Sequence, residues 1–598
     1  MSKKKRNKNK MIVEQPIKKV RFKHWDKVAL GVLVIGTFLL RVLPQLGKVF
    51  VDGNVWFRGV DSWYHMRLVD NMVANFPAIL GFDMYATYPG GFHVGFYPLF
   101  GWIIAGISKL GFNPNVVGAF LPPILGALLL VPVYFLGKEL FSKGIGIVAC
   151  LLVMVMPGEL FHRSLLGFTD QHILETFLMV TTILFLVLAY RYGKKLYIAG
   201  AGISLGLYCL NWHGAAFFVV ILGVWFLVEV FRNKEISRLC KLVPIVSGTA
   251  FVMLLPYFLI GAGDWRSIAA LGALMVAPLV LLGLTHVLSR KVLVWGLGTL
   301  LLLGLAGFCL PFRIGSLRLT SYFGITSVFW GLGAHIEEAT PTFPGVALSV
   351  YGVPIILFFL GLFYTVKRRV SWLFVVWAVI LLVATIGQRR WGYYFTVPVA
   401  LLASYAIFEA SRWIKKDLKT AAIVVSCFFL IIPSVKTITG LASLPNNITE
   451  EWYSACTWLR ENTEEPFGED AYYKLSVEGA GYGVLAWWDY GHWIIKIGHR
   501  VPIASPTNQE VAEIAGYLMA QNEEDANKAI DGLDIRYVMV SKEEVTGKFY
   551  SLVKNAELPI ERQDELLPNS MVMRLWLEQA ETWKKIHQEG DVKIYERS

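Results

Sequence analysis

The chain has 598 residues, of which 55% are hydrophobic and only 17% are charged, and its mean hydropathy is +0.52. Because a soluble globular domain carries about 25% charged residues, this composition excludes an ordinary soluble protein. The net charge of +12 does not indicate nucleic-acid binding, since the basic residues lie mostly in short loops between apolar runs. Those runs approach the ~20 residues that span a bilayer and recur from Val28 to Pro433, which predicts a polytopic α-helical membrane protein.

The N-terminal region, residues 1–27, begins with the basic stretch MSKKKRNKNK, and the apolar run VALGVLVIGTFLLRVL follows after a polar gap. We expect no cleavable signal peptide here, but a first membrane helix whose Lys-rich end stays in the cytoplasm. About thirteen membrane helices are predicted over residues 28–440. Their starts lie near Val28, Val117, Gly144, Gln171, Leu196, Ala215, Leu242, Ala269, Val292, Val346, Ser371, Trp391 and Thr420.

With this number of spans, the basic loops all fall on the cytoplasmic side, as the positive-inside rule requires. These loops read GKELFSKG, RYGKKL, FRNKEISRLCK, SRK, VKRRV and RWIKKDLK. The apolar stretch 99–111 would invert every later loop if it spanned the membrane. It is short and contains two internal glycines and a lysine, so we expect an interfacial or re-entrant helix.

The opposite face then carries the external loops 47–115 and 312–345 and the polar C-terminal region 441–598. Within that region, EDANKAIDGLDIRYVMVSKEE is typical of a helix, a turn and a strand, so we expect a mixed α/β domain outside the membrane. The six cysteines include no CxxC pair, which indicates neither a disulfide framework nor a zinc site.

The first external loop contains RGVDSWYHMRLVDN, with Asp61 among aromatic residues. One interpretation is an interfacial Asp paired with Arg58 or Arg67. The second external loop contains GFTDQHILETF, in which Asp170 either caps the following helix or joins His172 as a metal ligand. Together with Asp61, these oxygen and nitrogen donors would suit a divalent cation.

Two further segments of the external face carry charge. The loop GITSVFWGLGAHIEEATPTFPG holds Glu337 and Glu338 among glycines and prolines, which fits either a mobile active-site lid or a plain solvated loop. In GQRRWGYYF, Arg389 and Arg390 stand against the positive-inside trend. Their paired donors suit a phosphate, while the alternative is contact with lipid headgroups.

The segment AWWDYGH, residues 486–492, surrounds one carboxylate with three large aromatic side chains in the most polar part of the chain. One interpretation is that Asp489 caps the short helix HWIIKIG, with the tryptophans packed beneath it. The other is a binding pocket. The number of predicted membrane helices places this segment on the same side of the membrane as the external loops with Asp61, Asp170, Glu338 and Arg390.

In these segments the sequence resembles the catalytic subunit of oligosaccharyltransferase, in its archaeal single-subunit type. WWDYG at 487–491 is the most specific motif. The other matching segments are Gly59-Val60-Asp61, Asp170-Gln171-His172, HIEE at 335–338 with His where the family has Thr, Arg390 before Trp391, and Lys548 with Glu543 or Glu544 where an Asp is expected.

This resemblance implies transfer of a preassembled glycan from a polyprenyl (dolichyl-type) phosphate or pyrophosphate to the Asn amide of N-x-S/T. It implies that Asp61 and Glu338 are catalytic carboxylates that accept the amide N–H bonds and so weaken the conjugation of a poor nucleophile. Asp61, Asp170 and His172 would hold Mn²⁺ or Mg²⁺, and Arg390 would bind the lipid phosphate.

The acceptor would be bound by Trp487, Trp488, Asp489 and Lys548. In an extended peptide, residues i and i+2 point the same way, so a pocket beside the Asn can read the Ser/Thr hydroxyl. Asp489 would accept from that hydroxyl, and the indole N–H groups would donate to it.

The expected partners are the lipid-linked donor, acceptor proteins and membrane lipids, with no nucleic acid. We expect a monomer in the plasma membrane whose active site faces the outside of the cell. The alternatives are a lipid-linked sugar transferase that acts on a lipid or on Ser/Thr, and a transporter. A transporter would place its ionisable groups near the bilayer midplane, whereas here they lie at loop ends.

Overall fold

The computed structural model describes residues 24–598 except 233–235, 261, 262, 264, 290, 294, 298, 300–312, 315, 316, 319–341, 343 and 508–510. The predicted helix near Val292 is therefore described only in part. The predicted lid with Glu337 and Glu338 lies outside the described residues. The described chain forms a helical membrane part followed by a mixed α/β domain, as the sequence predicts.

Eight described helices are long and apolar enough to cross a membrane, which confirms a multi-pass helical protein. They are Trp25–Val49, Pro114–Leu140, His172–Tyr192, His213–Arg232, Ser237–Leu259, Trp265–Leu284, Arg389–Trp413 and Lys419–Leu441. Five shorter apolar helices are Leu99–Ser108, Lys143–Val155, Lys195–Cys209, Pro354–Lys367 and Trp372–Gly387. Apart from the helix near Val292, each predicted start lies within a few residues of a helix start. The number of spans stays a prediction because several apolar helices are short.

The stretch predicted to be interfacial forms the helix Leu99–Ser108, whose 10 residues span about 15 Å, half of the hydrocarbon core. The remaining helices of the membrane part are short or polar. In the part of the chain that the structure describes, they are Val60–Asn75, Glu159–His162 and Pro344–Tyr351.

Helix boundaries in the membrane part follow from local sequence. Asn113 accepts from the backbone N–H groups of Asn115 and Val116, and Pro114 takes the first helical position, where no N–H is needed. The helix His172–Tyr192 ends at Gly193, which has φ 66°, a left-handed conformation that glycine adopts without strain. These signals fix where each span meets its loops.

The C-terminal domain is built on a four-stranded sheet. Its spatial order is Gly483–Leu485, Ile535–Ser541, Val592–Arg597 and Trp583–Glu589. The first pair is parallel and the other two pairs are antiparallel. The predicted helix and strand are observed at Glu523–Ala529 and Ile535–Ser541. The domain's other α-helices are Glu450–Asn462, Gly491–Lys496, Val511–Met519, Lys542–Val545, Phe549–Asn555, Gln563–Leu566 and Met571–Trp576.

The C-terminal domain docks on the helix Val60–Asn75 of the first external loop. Lys496 forms an ion pair with Asp70 through its Oδ2 atom. The Asn71 side chain donates to the carbonyl oxygens of Tyr473, at 3.1 Å, and Lys474, at 2.9 Å. The helix that begins with Asp61 in its first turn is thus held between the membrane part and the domain.

Candidate active site

Asp61 lies in the first turn of the helix Val60–Asn75, and a glycine sets the direction in which the chain enters that turn. Gly59 has φ 76°, and a Cβ atom there would lie 3.2 Å from the ring of Phe168. One residue earlier, the N–H of Arg58 donates to the carbonyl of Gly167 at 2.8 Å. This backbone hydrogen bond joins the loop with Asp61 to the loop with Asp170, at the position three residues before each aspartate.

The two arginines proposed as partners of Asp61 bind other groups. Arg58 donates to the side-chain oxygen of Gln45 at 2.6 Å, and Arg67 forms a buried ion pair with Asp83 at 3.2 Å. The interpretation of Asp61 as the partner of either arginine is therefore wrong. Its carboxylate is 59% exposed and faces His492, whose Nδ1 lies 3.9 Å away.

Asp170 and His172 are brought together at the start of a membrane helix. The Asp170 Oδ2 atom lies 2.8 Å from His172 Nδ1, and its Oδ1 atom accepts from the His172 backbone N–H at 3.1 Å. The carboxylate thus supports the helix start and also faces the imidazole. Arg163 Nη1 lies 3.4 Å from Asp170 Oδ2 and 3.1 Å from His172 Nδ1. Burial opposes ionisation of Asp170, but His172 and Arg163 lower its pKa below the ordinary value.

The three predicted metal ligands do not form one group. Within the described residues, no set of three His, Cys, Asp or Glu side chains is arranged to hold a metal ion. Asp170 and His172 supply two adjacent donors, but Asp61 faces His492 and solvent, and Asp170 is engaged by Arg163. The expected three-ligand arrangement is therefore not the one observed.

His65 connects the Asp61 helix to the second acidic loop. It lies one turn after Asp61, is buried, and its ring packs edge-on against Phe96 at 4.7 Å. Burial lowers its pKa to about 4, while the nearby Asp170 carboxylate opposes that shift. His65 is therefore a neutral imidazole near Asp170.

A series of charged side chains connects the Asp170–His172 pair to Arg389 and Arg390, the arginines predicted to meet a phosphate. Glu159 lies 3.4 Å from Arg163 and 3.3 Å from Arg389, through separate carboxylate oxygens. Arg390 occupies the same short helix, Arg389–Trp391, and is partly buried. Shortly after it, Tyr393 packs edge-on against His172 with ring centroids 5.0 Å apart. The arginine turn therefore adjoins the Asp170–His172 pair.

The Trp487–Gly491 segment holds its carboxylate at the surface of the C-terminal domain. Trp487 is buried and Trp488 partly buried, while Asp489 is 31% exposed. Lys548 Nζ lies 3.2 Å from Asp489 Oδ2 and 3.3 Å from Glu543 Oε2. The structure therefore brings Lys548 beside Asp489, although 59 positions separate them in the sequence.

The helix-cap interpretation of Asp489 is wrong. The helix Gly491–Lys496 starts after Tyr490, and no side chain accepts from its first N–H groups. Tyr490 stacks on Trp452 with ring centroids 4.0 Å apart, and its hydroxyl donates to Glu543 at 3.1 Å. The aromatic residues therefore support the loop from beneath, and the carboxylate is left facing Lys548.

His492 joins the two halves of the site. Its Nδ1 lies 3.2 Å from the carbonyl oxygen of Val60, which only accepts, so Nδ1 carries the proton and donates. The ring also stacks on Tyr64 at 5.0 Å. Burial lowers the pKa of His492 to about 3, so the ring is neutral. The segment with Asp489 is thereby attached to the turn with Asp61.

Sequence reasoning did not single out Arg163, Glu159 or His492. Arg163 and Glu159 both lie in the segment GELFHRSLLGFTD, residues 158–170, where their spacing of four could have indicated a charge pair. No local pattern indicates that His492 reaches a loop far earlier in the chain.

Two family models together match most of the chain. The model of the STT3 oligosaccharyl transferase, N-terminal part, matches residues 32–442, and the model of the AglB core domain matches residues 449–545. The chain belongs to the STT3 oligosaccharyl transferase family. The enzyme is therefore an oligosaccharyltransferase chain, and the transporter interpretation is excluded.

Relatives of this oligosaccharyltransferase occur in archaea. Dolichyl-phosphooligosaccharide-protein glycotransferase 3 of Archaeoglobus fulgidus is 28% identical, over 90% of this chain and 71% of its own length. Glycotransferase 2 of the same organism is 26% identical, over 87% of each chain.

Three solved structures of an Archaeoglobus fulgidus oligosaccharyltransferase share the fold. The complex with an inhibitory peptide and a dolichol-phosphate has a TM-score of 0.83 at 24% identity, covering 95% of this chain and 80% of that one. The form tethered to an NVT-sequon peptide has 0.82 at 24%, with the same coverage. The complex with Zn and sulfate has 0.79 at 25%, covering 94% and 79%.

Proposed function

We propose that this chain transfers a glycan from a dolichyl-type phosphate or pyrophosphate carrier to the Asn amide of N-x-S/T sequons, on the extracytoplasmic face of the plasma membrane. The observation that carries this proposal is the contact between His492 and Val60. It attaches the segment with Asp489 to the helix turn with Asp61. The relatives of the same family are named for this transfer, and related structures hold a sequon peptide and a dolichol-phosphate.

In the proposed reaction, the amide nitrogen forms a bond to the anomeric carbon while the bond from that carbon to the phosphate oxygen breaks. One amide proton leaves to a carboxylate or to solvent, and the phosphate keeps the electron pair. Asp61 accepts an N–H of the amide, which reduces delocalisation of the nitrogen lone pair. Glu338 would accept the other N–H.

The donor phosphate would be bound by Arg390. A guanidinium presents paired N–H donors that match phosphate oxygens, and the Nε atom of Arg390 is buried without a hydrogen-bond partner among the described residues. Glu159 holds the neighbouring Arg389, so Arg390 is the arginine left to meet an anion.

The donor set fits a divalent cation in its chemistry. Asp170 and His172 would hold it, and Asp61, which faces His492 in this structure, is the third predicted donor, on a turn that is bonded to the Asp170 loop. When bound, such an ion supplies charge neutralisation for the leaving phosphate. Asp170 and Arg163 would then have to separate, because the metal and the guanidinium compete for one carboxylate oxygen. Mn²⁺ and Mg²⁺ are the ions proposed.

The acceptor hydroxyl would be recognised by Asp489. Its carboxylate is reachable, and Lys548 keeps it oriented from the protein side. The wall formed by Trp487 and Trp488 limits access of water, which strengthens a hydrogen bond to the +2 hydroxyl. We propose that the protein acts as a monomer, since both halves of the site lie in one chain.

A direct experiment tests this function. Purified enzyme in detergent is incubated with lipid-linked oligosaccharide and a fluorescent peptide containing N-x-T, and the peptide is followed by gel shift and mass spectrometry. We expect a glycan on the Asn side chain. A glycan found on a Ser/Thr side chain or on a lipid, with the Asn unmodified, would contradict the proposal.

A further inference from the structure

A groove in the membrane part ends at the surface opposite the candidate active site. It has a volume of about 660 Å³, within the size range of ligand sites, and is bounded by the helices Pro114–Leu140 and His172–Tyr192. The second of these helices begins at the site with His172 and ends at the groove with Tyr192. Its 21 residues span about 30 Å, which is the thickness of the hydrocarbon core.

The walls of the groove are apolar and face the bilayer. Leu128, Phe135, Phe177, Phe185 and Leu188 line it, and Leu128 and Phe135 are each 42% exposed. From Phe177 to Leu188 the wall follows one helix for about 16 Å, close to the depth of one leaflet. A single lipid tail therefore matches the groove in length and in polarity.

The open end of the groove is basic. Lys138 and Lys194 lie on its rim, and so does Tyr197, an aromatic residue of the type that favours the membrane interface. Lys138 Nζ lies 5.5 Å from the centroid of the Phe135 ring, and Lys194 Nζ lies 6.0 Å from that of Tyr197. Within the described part of the chain, neither lysine forms an ion pair with a carboxylate, so both ammonium groups can meet an anion.

The acidic residue on the rim does not cancel this charge. Glu139 is held by Arg191 Nη1 at 2.9 Å, and the Tyr192 hydroxyl donates to the same carboxylate oxygen at 2.6 Å. Since Arg191 neutralises Glu139, the positive charge of the two lysines remains at the level of the lipid headgroups.

We propose that this groove binds one membrane lipid with an anionic phosphate headgroup. Its tail lies along Phe177–Leu188, and its phosphate is bound by Lys138 and Lys194. The phosphate end of the groove is separate from the glycan-transfer site, since Lys194 lies beyond the far end of the helix that begins with His172. An ordinary apolar surface would bind tails without regard to the headgroup, whereas paired lysines at the rim select an anion.

The experiment measures lipid retention by native mass spectrometry of the full chain in detergent. Phosphatidylglycerol, phosphatidylcholine with identical tails, and inorganic phosphate are each titrated. We expect one phosphatidylglycerol retained at least tenfold more tightly than phosphatidylcholine, and no retention of inorganic phosphate.

Three variants locate the retained lipid. K138E/K194E should lose the preference for phosphatidylglycerol. Leu188→Trp, which fills the groove without changing charge, should reduce retention of this lipid. K415E/K416E, two exposed lysines after the helix Gly392–Ala410, should behave like the parent.

The proposal is overturned if K138E/K194E and Leu188→Trp both retain phosphatidylglycerol as the parent does. Equal retention of phosphatidylcholine would mean that the groove takes any lipid tail. A second copy of the chain released by Leu188→Trp would mean that the groove is a protein interface. Glycan transfer is not part of the readout, so failure here leaves the proposed function untouched.

Discussion

The imidazole of His492 lies 3.9 Å from the carboxylate of Asp61, although the two residues come from opposite ends of the chain. The same ring donates to the carbonyl of Val60 and stacks on Tyr64. His492 therefore ties the acceptor-side segment to the turn with the proposed catalytic carboxylate.

His492→Phe should keep the stacking on Tyr64 and lose the hydrogen bond to Val60. A neutral hydrogen bond contributes about 1 kcal/mol, so we expect kcat/KM to fall roughly fivefold while peptide affinity changes little. The control is His587→Phe, which alters another stacked histidine, on Trp458. Equal losses in both variants would show that His492 acts only on the stability of the domain.

Removal of the metal should abolish transfer. We expect activity to vanish with excess chelator and to return with Mn²⁺ or Mg²⁺. His172→Ala should weaken Mn²⁺ binding, measured by electron paramagnetic resonance, at least tenfold, the loss seen even for residues that only orient a ligand. His93→Ala, an exposed histidine of the first loop, should bind Mn²⁺ as the parent does. Full activity in chelator would exclude the metal.

Arg390→Ala should raise the KM for the lipid-linked donor by tenfold to a hundredfold, because a charge-assisted hydrogen bond contributes roughly 1.5–3 kcal/mol. Peptide KM should stay nearly constant. Arg389→Ala serves as the matched control and should have a smaller effect, since Glu159 holds that arginine. A larger donor effect at Arg389, or none at Arg390, would contradict the assignment.

Glu544 makes the C-terminal domain sensitive to pH. Burial raises its pKa from 4.5 to about 7, although Ser541 donates to it from both its N–H and its hydroxyl. The folded state binds more protons than the unfolded chain between these values. The contribution of protonated Glu544 to the stability of the folded domain is therefore complete below about pH 4.5 and is lost as pH rises through about 7.

Glu544→Gln keeps an oxygen that accepts from Ser541 and removes the buried charge. Relative to the parent, the variant should gain stability at pH 8, on the order of 3 kcal/mol, and little at pH 4.5. Thermal unfolding at both pH values measures this, with Glu543→Gln as the control. An unchanged pH dependence in Glu544→Gln would contradict the burial effect.

The sequence predicts those parts of the site that depend on short spacing. Asp170 and His172, two positions apart at a helix start, are adjacent as expected, and the membrane helices follow from apolar runs. Contacts across the chain carry no such signal, so His492 was not foreseen. The pairing of Arg163 with Glu159 does have a local signal, their spacing of four.

Side-chain direction also escapes a sequence pattern. Of two adjacent glutamates, Glu543 turns outward to Lys548 while Glu544 turns inward to Ser541, and only the tertiary packing decides between them. Asp489 likewise faces Lys548 instead of capping the helix that follows.

The proposed recognition of the sequon predicts that Asp489 and the +2 hydroxyl act as one contact. Asp489→Ala should weaken binding of an N-x-T peptide by tenfold to a hundredfold, as expected for a hydrogen bond to a charged group. Asp489→Asn, which keeps an accepting oxygen, should lose less.

The most direct test is a double-mutant cycle in which Kd is measured for N-x-T and N-x-A peptides on the parent and on Asp489→Ala. If Asp489 binds the +2 hydroxyl, the two changes remove the same contact. The N-x-A peptide should then bind weakly to the parent and lose little more on the variant. Additive losses, with both peptides weakened equally by Asp489→Ala, would contradict recognition of the hydroxyl by Asp489.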